Sequence, residues 1–254
     1  MSKEDRGFGS FIGIDGTYQS GGVFSLRQQQ LLESAVEWPR IVTSGLGVYY
    51  EGDNVLSYPG SGSSWYSTVS NKTLTLTSTT YSRPNMVFNG STSTSSFSTT
   101  GLQMAQAQTI MMALMPSEAD GNRRNPYNHE YAGYGTITHE TGGDFSYFHG
   151  TSGGNGAVYQ GTNSGFTVGQ NETAIITVTR GPGFIRWYKN GSLINSVTNS
   201  YPIAFTSVST ANIGSGYAGP PFQGNIGCFM LYTRELSAAE VLQNFLALKG
   251  RFGL

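Results

Sequence analysis

Apolar and polar residues alternate along much of the chain with the two-residue period of a β-strand. In residues 73–79, TLTLTST, the alternation is strict and predicts a half-buried strand with Leu74 and Leu76 facing inward. Residues 109–115 are apolar without alternation, which is typical of a strand covered on both faces. Further strands are predicted at residues 47–51, 86–88, 145–149, 158–160, 174–179 and 224–232.

Turn and loop signals separate these strands. Asn190-Gly191 lies between strand-like residues 184–188 and 192–197 and predicts a hairpin, because it supplies the positive φ angles of a type I′ turn. Residues 91–100 are nearly all Ser and Thr, and they fit either a loop or a solvent-facing strand. Residues 117–133 predict a long loop of the kind that often carries function.

Helical periodicity is confined to the two ends of the chain. Residues 25–36 carry an apolar stripe that predicts a short helix, closed by Trp38-Pro39. Residues 237–249 predict a second short helix, which begins with a capping box formed by Ser237 and Glu240. The pattern as a whole predicts an all-β fold: an antiparallel jelly-roll β-sandwich with an N-terminal arm and a short C-terminal helix.

Composition supports this fold and narrows the function classes. The 254 residues include 35 glycines and only 11% charged residues, a balance that favours strands and turns over helices. We place the arm at residues 1–43 and the sandwich domain at residues 44–254, which is long enough to bury its own core. The formal net charge is −1, without a cluster of Lys and Arg, so we expect no nucleic-acid partner.

Cysteine usage and hydropathy bear on covalent chemistry and location. Cys228 is the single cysteine, so no intramolecular disulfide is possible, and its apolar neighbours predict a small buried side chain. No apolar run approaches the roughly 20 residues of a membrane span, so we expect no membrane insertion. The first residues carry no apolar signal segment.

The C-terminal sequence is the first of two stretches that resemble known proteins. Residues 222–252, FQGNIGCFMLYTRELSAAEVLQNFLALKGRF, are similar to the closing segment of laminin-G-like, concanavalin-A-like domains. That segment has a Gly-x-Ile strand, then Tyr-x-Arg-x-Leu-Ser, then Glu-Val-x-x-Asn. Residues 187–191 also resemble the Tyr-x-Asn-Gly signature of these domains. The resemblance implies a lectin-like sandwich over nearly the whole chain.

The second stretch is residues 22–39, GVFSLRQQQLLESAVEWP, followed by a Gly-Leu-Gly-Val-Tyr-Tyr strand and by SYPGSGSSWYS at residues 57–67. This combination resembles virion structural proteins of tailed bacteriophages, in which such an element precedes a laminin-G-like domain. The resemblance implies a tail-fibre, appendage or capsid-decorating subunit that is made in the bacterial cytoplasm and located in the virion. Its expected partners are other virion proteins, further copies of itself as a homo-oligomer, and a host surface glycan.

The arm is the predicted docking element. Its apolar stripe is too short to be stable alone in water, and it exposes an apolar patch unless it packs on another surface. We expect it to dock on a neighbouring subunit or particle protein; the alternative is that it caps one end of its own sandwich. The expected anchors are Phe24, Leu26, Leu32, Val36 and Trp38.

The carboxylates give little sign of catalysis or metal binding. Glu51-Gly52-Asp53 begins the Glu-x-Asp-x-x-Glu pattern of concanavalin-like glycosidases, but Leu56 occupies the position of the second Glu. The resembling domains often carry acids in the segments that here read STVSNKTL (67–74) and Val-Phe-Asn-Gly (87–90), and those acids are missing. We therefore predict no catalytic residue, no metal site and no cofactor.

A glycan site is the remaining candidate. Residues 127–149 concentrate aromatic rings, which stack on sugars, beside Asn and His side chains, which hydrogen-bond to hydroxyl groups. The alternative is that these aromatics belong to the core or to a subunit interface. The competing functions are a virion structural protein, a stand-alone carbohydrate-binding lectin module and a glycosidase. The candidate glycan-binding residues are Tyr127, His129, Tyr131, Tyr134, Tyr147 and His149.

Overall fold

The computed structural model of the chain describes residues 40–117, 121–151, 158–216 and 219–254, and these ranges form two packed antiparallel sheets. The predicted all-β sandwich is confirmed. The strands are β1 (Leu46–Glu51), β2 (Ser64–Tyr66), β3 (Thr73–Thr77), β4 (Thr80–Ser82), β5 (Asn85–Asn89), β6 (Thr94–Ser98), β7 (Gln108–Pro116), β8 (Arg124–His129), β9 (Gly135–His139), β10 (Asp144–Gly150), β11 (Tyr159–Thr167), β12 (Ala174–Arg180), β13 (Phe184–Lys189), β14 (Ser192–Thr198), β15 (Thr210–Ile213) and β16 (Gln223–Tyr232).

Strand order defines the two layers. In sheet A the order is β14-β13-β12-β7-β16-β5-β4, and β1 pairs with β16 next to β5. In sheet B the order is β11-β10-β9-β8-β15-β6-β3-β2. Strands that are distant in sequence, such as β7 and β16, are neighbours in a sheet, as a jelly roll requires.

Burial follows the sequence pattern where that pattern is local. In β3, Leu74 and Leu76 are buried between exposed threonines, which confirms the half-buried strand. Strand β7 is covered on both faces, as predicted, because one hydrophobic core packs on each side of it. Asn190 and Gly191 have φ angles of 50° and 78° between β13 and β14, which confirms the predicted hairpin.

One loop prediction is wrong, and one open choice is settled. Residues 124–129, inside the predicted loop 117–133, form β8, which pairs with β9 and β15. Its sequence, RNPYNH, lacks alternation, and its proline lies where the β8–β9 register shifts, so the ladder tolerates it. Within residues 91–100 the strand alternative is right: β6 forms, with Ser95 and Phe97 buried.

The main core lies between the sheets and is rich in aromatic rings. Phe229 of β16 stacks on Tyr127 of sheet B, with ring centroids 5.3 Å apart, and meets Phe97 edge-on at 6.1 Å. Trp65 and Trp187 are also fully buried. Each large ring removes apolar surface from water, and this term holds the two sheets together.

The outer face of sheet A carries a second core. It is covered by the helix α1 (Ala238–Leu248), which begins with the predicted capping box between Ser237 and Glu240. Cys228 lies in this core, which confirms its prediction as a small buried side chain. Among the described helices, none is long and apolar enough to cross a membrane. The central strands of sheet A, β7, β12 and β16, are therefore buried on both faces.

A closed hydrogen-bond network ties the N-terminal side of the domain to this second core. Asn244 of α1 accepts a hydrogen bond from the Val42 backbone N–H and donates one to the Tyr232 hydroxyl, each at 2.8 Å. Tyr232 donates to the Val42 carbonyl, also at 2.8 Å. All three residues are buried, so Val42 packs with the sandwich, although the sequence prediction places it in the arm. The predicted arm anchors, between residues 24 and 38, lie outside the described residues.

We expect Asn244→Ala to lower the free energy of unfolding by about 2–3 kcal/mol, because it leaves the buried Val42 N–H without an acceptor and the Tyr232 hydroxyl without a donor. Urea denaturation followed by tryptophan fluorescence measures the change. Gln243→Ala is the matched control: this exposed neighbour makes one hydrogen bond, to the Arg40 carbonyl, and its loss should cost less than about 0.5 kcal/mol. Equal losses in the two variants would contradict the role of the network.

Candidate functional site

Sheet B presents the open face of the sandwich. The described residues place no α-helix over its outer side, in contrast to sheet A. Side chains that alternate with its core residues point outward, and most of them end in hydroxyl or amide groups. They include Thr75, Ser96, Asn128, Asn163 and Asn212. This face therefore offers many hydrogen-bonding groups and few charges.

Three aromatic side chains form a cluster at the β10–β11 end of this face. The Tyr131 ring centroid lies 5.2 Å from that of Phe148 and 4.9 Å from that of Tyr159, and the last two are 6.1 Å apart. Tyr159 is 44% exposed, and the other two are half-buried. The Arg123 guanidinium lies 5.5 Å from the Phe148 ring centroid, within the range of a cation–π contact. We call Tyr131, Phe148 and Tyr159 the aromatic cluster.

A strained turn between β8 and β9 carries Tyr131. The residues on either side of it, Glu130 and Ala132, have φ angles of 64° and 63°, which cost energy in residues that have a side chain. Ala132 is fully buried, and the Glu130 carboxylate accepts a hydrogen bond from the Thr206 hydroxyl. Strain persists where the surroundings over-determine it, and such positions concentrate at binding sites.

The connection between β14 and β15, residues 199–209, runs beside this turn. Its Ala204 and Phe205 backbone N–H groups donate to the carbonyls of Ala105 (2.8 Å) and Gly150 (3.1 Å). The Thr206 hydroxyl bond to Glu130 adds a third contact. The connection contains no strand, yet it is fixed to its surroundings by these bonds.

Two buried histidines hold the ends of the same connection. The Nε2 atom of His149 bonds to Asn199 Oδ1, and that of His129 to the Val208 carbonyl, each at 2.9 Å. Because these oxygens only accept, Nε2 carries the proton, and each buried Nδ1 has no partner among the described residues. Burial lowers the pKa of both rings, that of His149 to about 4.

Arg180 supplies a further anchor from inside the core. Its fully buried guanidinium donates to the carbonyls of Met104 and Ala105, and the Ala105 carbonyl also accepts from Ala204. A buried cation is costly without hydrogen-bond partners, and the Arg180 Nε has none among the described residues, so its bonds to the two carbonyls favour one position of residues 104–105. That position in turn fixes Ala204.

The structure separates the six predicted glycan residues. Tyr127 and Tyr147 lie between the sheets without exposed surface, and Tyr147 donates to the Tyr134 carbonyl at 2.8 Å. His129 and His149 are equally buried. A sugar ring cannot reach these four rings while the sandwich is closed. The structure gives them roles in core packing and in anchoring residues 199–209.

Of the six, Tyr131 alone joins the aromatic cluster, while Tyr134 is half-buried and edge-on to His129 at 5.1 Å. Sequence reasoning did not select Phe148, although a signal existed. In β10, DFSYFHG, an inward Phe145 places the second and fourth residues after it inward as well, and Phe148 outward. No comparable signal marks Tyr159, because its position depends on pairing with Gly150.

The carboxylates considered for catalysis are engaged away from this face. Glu51 is buried on the outer side of sheet A, where it accepts hydrogen bonds from Tyr49 (2.7 Å) and Arg251. Asp53 pairs with Arg83. Over the ranges that the structure describes, no three His, Cys, Asp or Glu side chains gather in a metal-binding arrangement.

Solved structures of botulinum neurotoxin binding domains share this fold. The binding domain of botulinum neurotoxin DC in complex with rat synaptotagmin II has a TM-score of 0.63 at 13% identity, and the match covers 80% of this chain and 52% of that chain. For botulinum neurotoxin type C, whose cell entry depends on two ganglioside molecules, the TM-score is 0.62 at 12% identity, with coverage of 80% and 51%. The chain thus spans about half the length of these structures, and the likeness shows the fold alone.

No curated protein matches the chain by sequence. A family model described as the concanavalin A-like lectin/glucanases superfamily matches residues 88–242, which is more than half of the 254 residues. Those residues extend from β5 into α1 and include most strands of both sheets. The match and the sandwich topology together show that the chain belongs to the concanavalin A-like lectin/glucanases superfamily.

Proposed function

We propose that the domain binds glycans and that the aromatic cluster is its contact surface. The observation that carries the proposal is the strained turn that holds Tyr131 against Phe148 and Tyr159 at the edge of the open face. Aromatic faces pack on the apolar faces of sugar rings. The hydroxyl and amide groups of sheet B lie on the same face as the cluster, and they suit the hydroxyl groups of a glycan.

The charged groups at the cluster fit this role. Arg123 donates to Glu140 at 2.7 Å while it lies over Phe148, and Glu130 accepts from Thr206. Both side chains are thereby held in one orientation, ready to donate to or accept from sugar hydroxyls. Botulinum neurotoxin type C, whose cell entry depends on two ganglioside molecules, supports glycan contact by a protein of this fold, but not the acidic character of its ligand for this chain.

We expect Tyr131→Ala and Tyr159→Ala each to weaken glycan binding by roughly five- to thirtyfold, since each removes a stacking surface worth about 1–2 kcal/mol. A glycan array identifies the ligands of the unmodified domain, and isothermal titration then measures the dissociation constants. Tyr66→Ala is the matched control, because Tyr66 is 46% exposed on β2, at the opposite edge of sheet B. The proposal is overturned if the array shows no binding, or if the control weakens binding as much as the cluster variants.

Acid should weaken both the fold and the site, because all three histidines are buried. Burial lowers the pKa of His129, His139 and His149 below 6.5, so the unfolded chain takes up protons first as the pH falls. The stability that they contribute is present above pH 6.5 and is lost as the pH approaches the folded pKa, about 4 for His149. For His149 the full loss is about 3 kcal/mol.

We therefore expect the free energy of unfolding, and with it glycan affinity, to fall between about pH 6.5 and 4.5. Denaturant titrations at a series of pH values measure the free energy of unfolding, and isothermal titration at the same pH values measures the glycan affinity. His149→Gln, which does not titrate, should flatten part of the dependence. A free energy of unfolding that stays constant over this range would contradict the anchoring role of the histidines.

We propose further that the domain serves in the virion of a tailed bacteriophage and docks through the arm. The support is the resemblance of residues 22–39 to virion structural proteins. A second support is the position of Arg40, the first described residue. Its carbonyl accepts a hydrogen bond from Gln243 of α1 at 2.7 Å, so the described chain begins on the helix side of sheet A. Docking from the sheet A side leaves the open face of sheet B directed outward, which suits a subunit that contacts a host surface.

Deletion of residues 1–39 tests this role while retaining the Val42 network. We expect the truncated domain to keep its melting temperature and its glycan affinity but to fail to incorporate into particles, in which the full chain is present at stoichiometric copy number. If the truncated protein unfolds or aggregates, the segment belongs to its own core, and the docking proposal fails.

A further inference from the structure

We infer that Ile203 and Phe205 form a second wall of the proposed glycan site, and that the ligand is a neutral oligosaccharide whose sugars carry methyl groups, in acetamido or 6-deoxy substituents. The inference rests on the proposed glycan function and names its ligand class. It depends on three features: how the two side chains are displayed, how they join the aromatic cluster, and which charges surround them.

The backbone turns both side chains outward. Ala204, between them, is buried, and its N–H donates to the Ala105 carbonyl at 2.8 Å, which Arg180 holds in place. With Ala204 directed inward, its two neighbours point to solvent, and Ile203 and Phe205 are 61% and 58% exposed. The fixed backbone keeps the two side chains on the solvent side of the connection, and exposed apolar patches of this kind mark contact sites.

The wall and the aromatic cluster share the same supports. The Phe205 N–H donates to the Gly150 carbonyl at 3.1 Å, and Gly150 pairs with Tyr159 in the β10–β11 ladder. The Phe205 carbonyl oxygen lies 3.1 Å from the position that a Cβ would take on Gly133, in the turn that carries Tyr131. A ligand longer than one sugar ring therefore reaches both surfaces at once.

The charges at this junction disfavour an acidic sugar. The Glu130 carboxylate is bonded to Thr206, the residue after Phe205, so it lies at the base of the wall. Arg123, the cation over Phe148, is already paired with Glu140 at 2.7 Å. A sialylated or sulfated ligand would bring its charge next to Glu130, while Glu140 offsets the positive charge of Arg123.

The apolar wall favours methyl groups over hydroxyl groups of a sugar. Neither Ile203 nor Phe205 can replace the hydrogen bonds that a sugar hydroxyl makes to water, so a hydroxyl-covered edge is not favoured there. A methyl group of an acetamido or 6-deoxy sugar buries apolar surface against the wall, which is worth roughly fourfold in affinity per methyl. Two such sugars give a preference of roughly tenfold or more over the plain hexose oligomer.

Matched ligand pairs test the inference. Isothermal titration compares N-acetylglucosamine oligomers with glucose oligomers of the same length and linkage, and 6-deoxy sugars with their 6-hydroxy counterparts. We expect the methyl-bearing member to bind roughly tenfold more tightly to the unmodified domain. Phe205→Ser and Ile203→Ser should each reduce this preference, while affinity for the plain oligomer stays unchanged. Leu56→Ser, at a residue 79% exposed between β1 and β2, is the control and should keep the preference.

The outcomes distinguish this inference from the proposed function. If the domain binds glycans but prefers plain or acidic ones, or if Phe205→Ser keeps the preference, the wall is overturned and the glycan function stands. If the unmodified domain binds no glycan, both are overturned. Phe205→Leu guards against a merely structural effect: it retains apolar surface and should restore the preference that Phe205→Ser loses, and failure to restore it overturns the wall.

Discussion

The burial of the central strands of sheet A on both faces is the constraint on which the rest of the structure depends. Strands β7, β12 and β16 meet the main core on one side and α1 on the other, and they are buried almost throughout. Because the helix and the segment around Val42 occupy the outer side of sheet A, sheet B is the layer whose outer face is left without a helix among the described residues. The location of the proposed site follows from this asymmetry before any side chain of the site is considered.

The sequence predicted what depends on near neighbours and failed where pairing is long-range. Leu74 and Leu76, the Asn190-Gly191 turn and the α1 capping box are local signals, and all are confirmed. Strand β8 was missed, because its proline and asparagines are strand-like only once β9 and β15 flank it. The same limit applies to the site. Tyr131 was found within its segment, but the partner that completes it, Tyr159, is brought there by a strand whose register the sequence does not state.

Buried polar groups set the geometry of the loops at the open face. His129, His149 and Arg180 have side-chain types that suggest ligand contact, yet each is buried and bonds to backbone or amide oxygens. The bonds that these buried groups do make favour one arrangement, since any other leaves further buried atoms unsatisfied. Residues 199–209 gain a fixed course in this way, without the help of a strand. This arrangement requires the imidazole rings of His129 and His149 to stay uncharged, and acid therefore weakens it.

The reactivity of the Cys228 thiol reports how often the domain opens. Its thiol lies in the core beneath α1, and burial raises its pKa to about 12. The thiolate is the reactive form, so the folded protein resists alkylation, and the thiol reacts when α1 lifts from sheet A or the whole domain unfolds. As the single cysteine of the chain, it reports these openings without an introduced label. The rate of alkylation in native buffer would measure how often α1 separates from sheet A. Ligand binding, on the opposite face, would be measured separately.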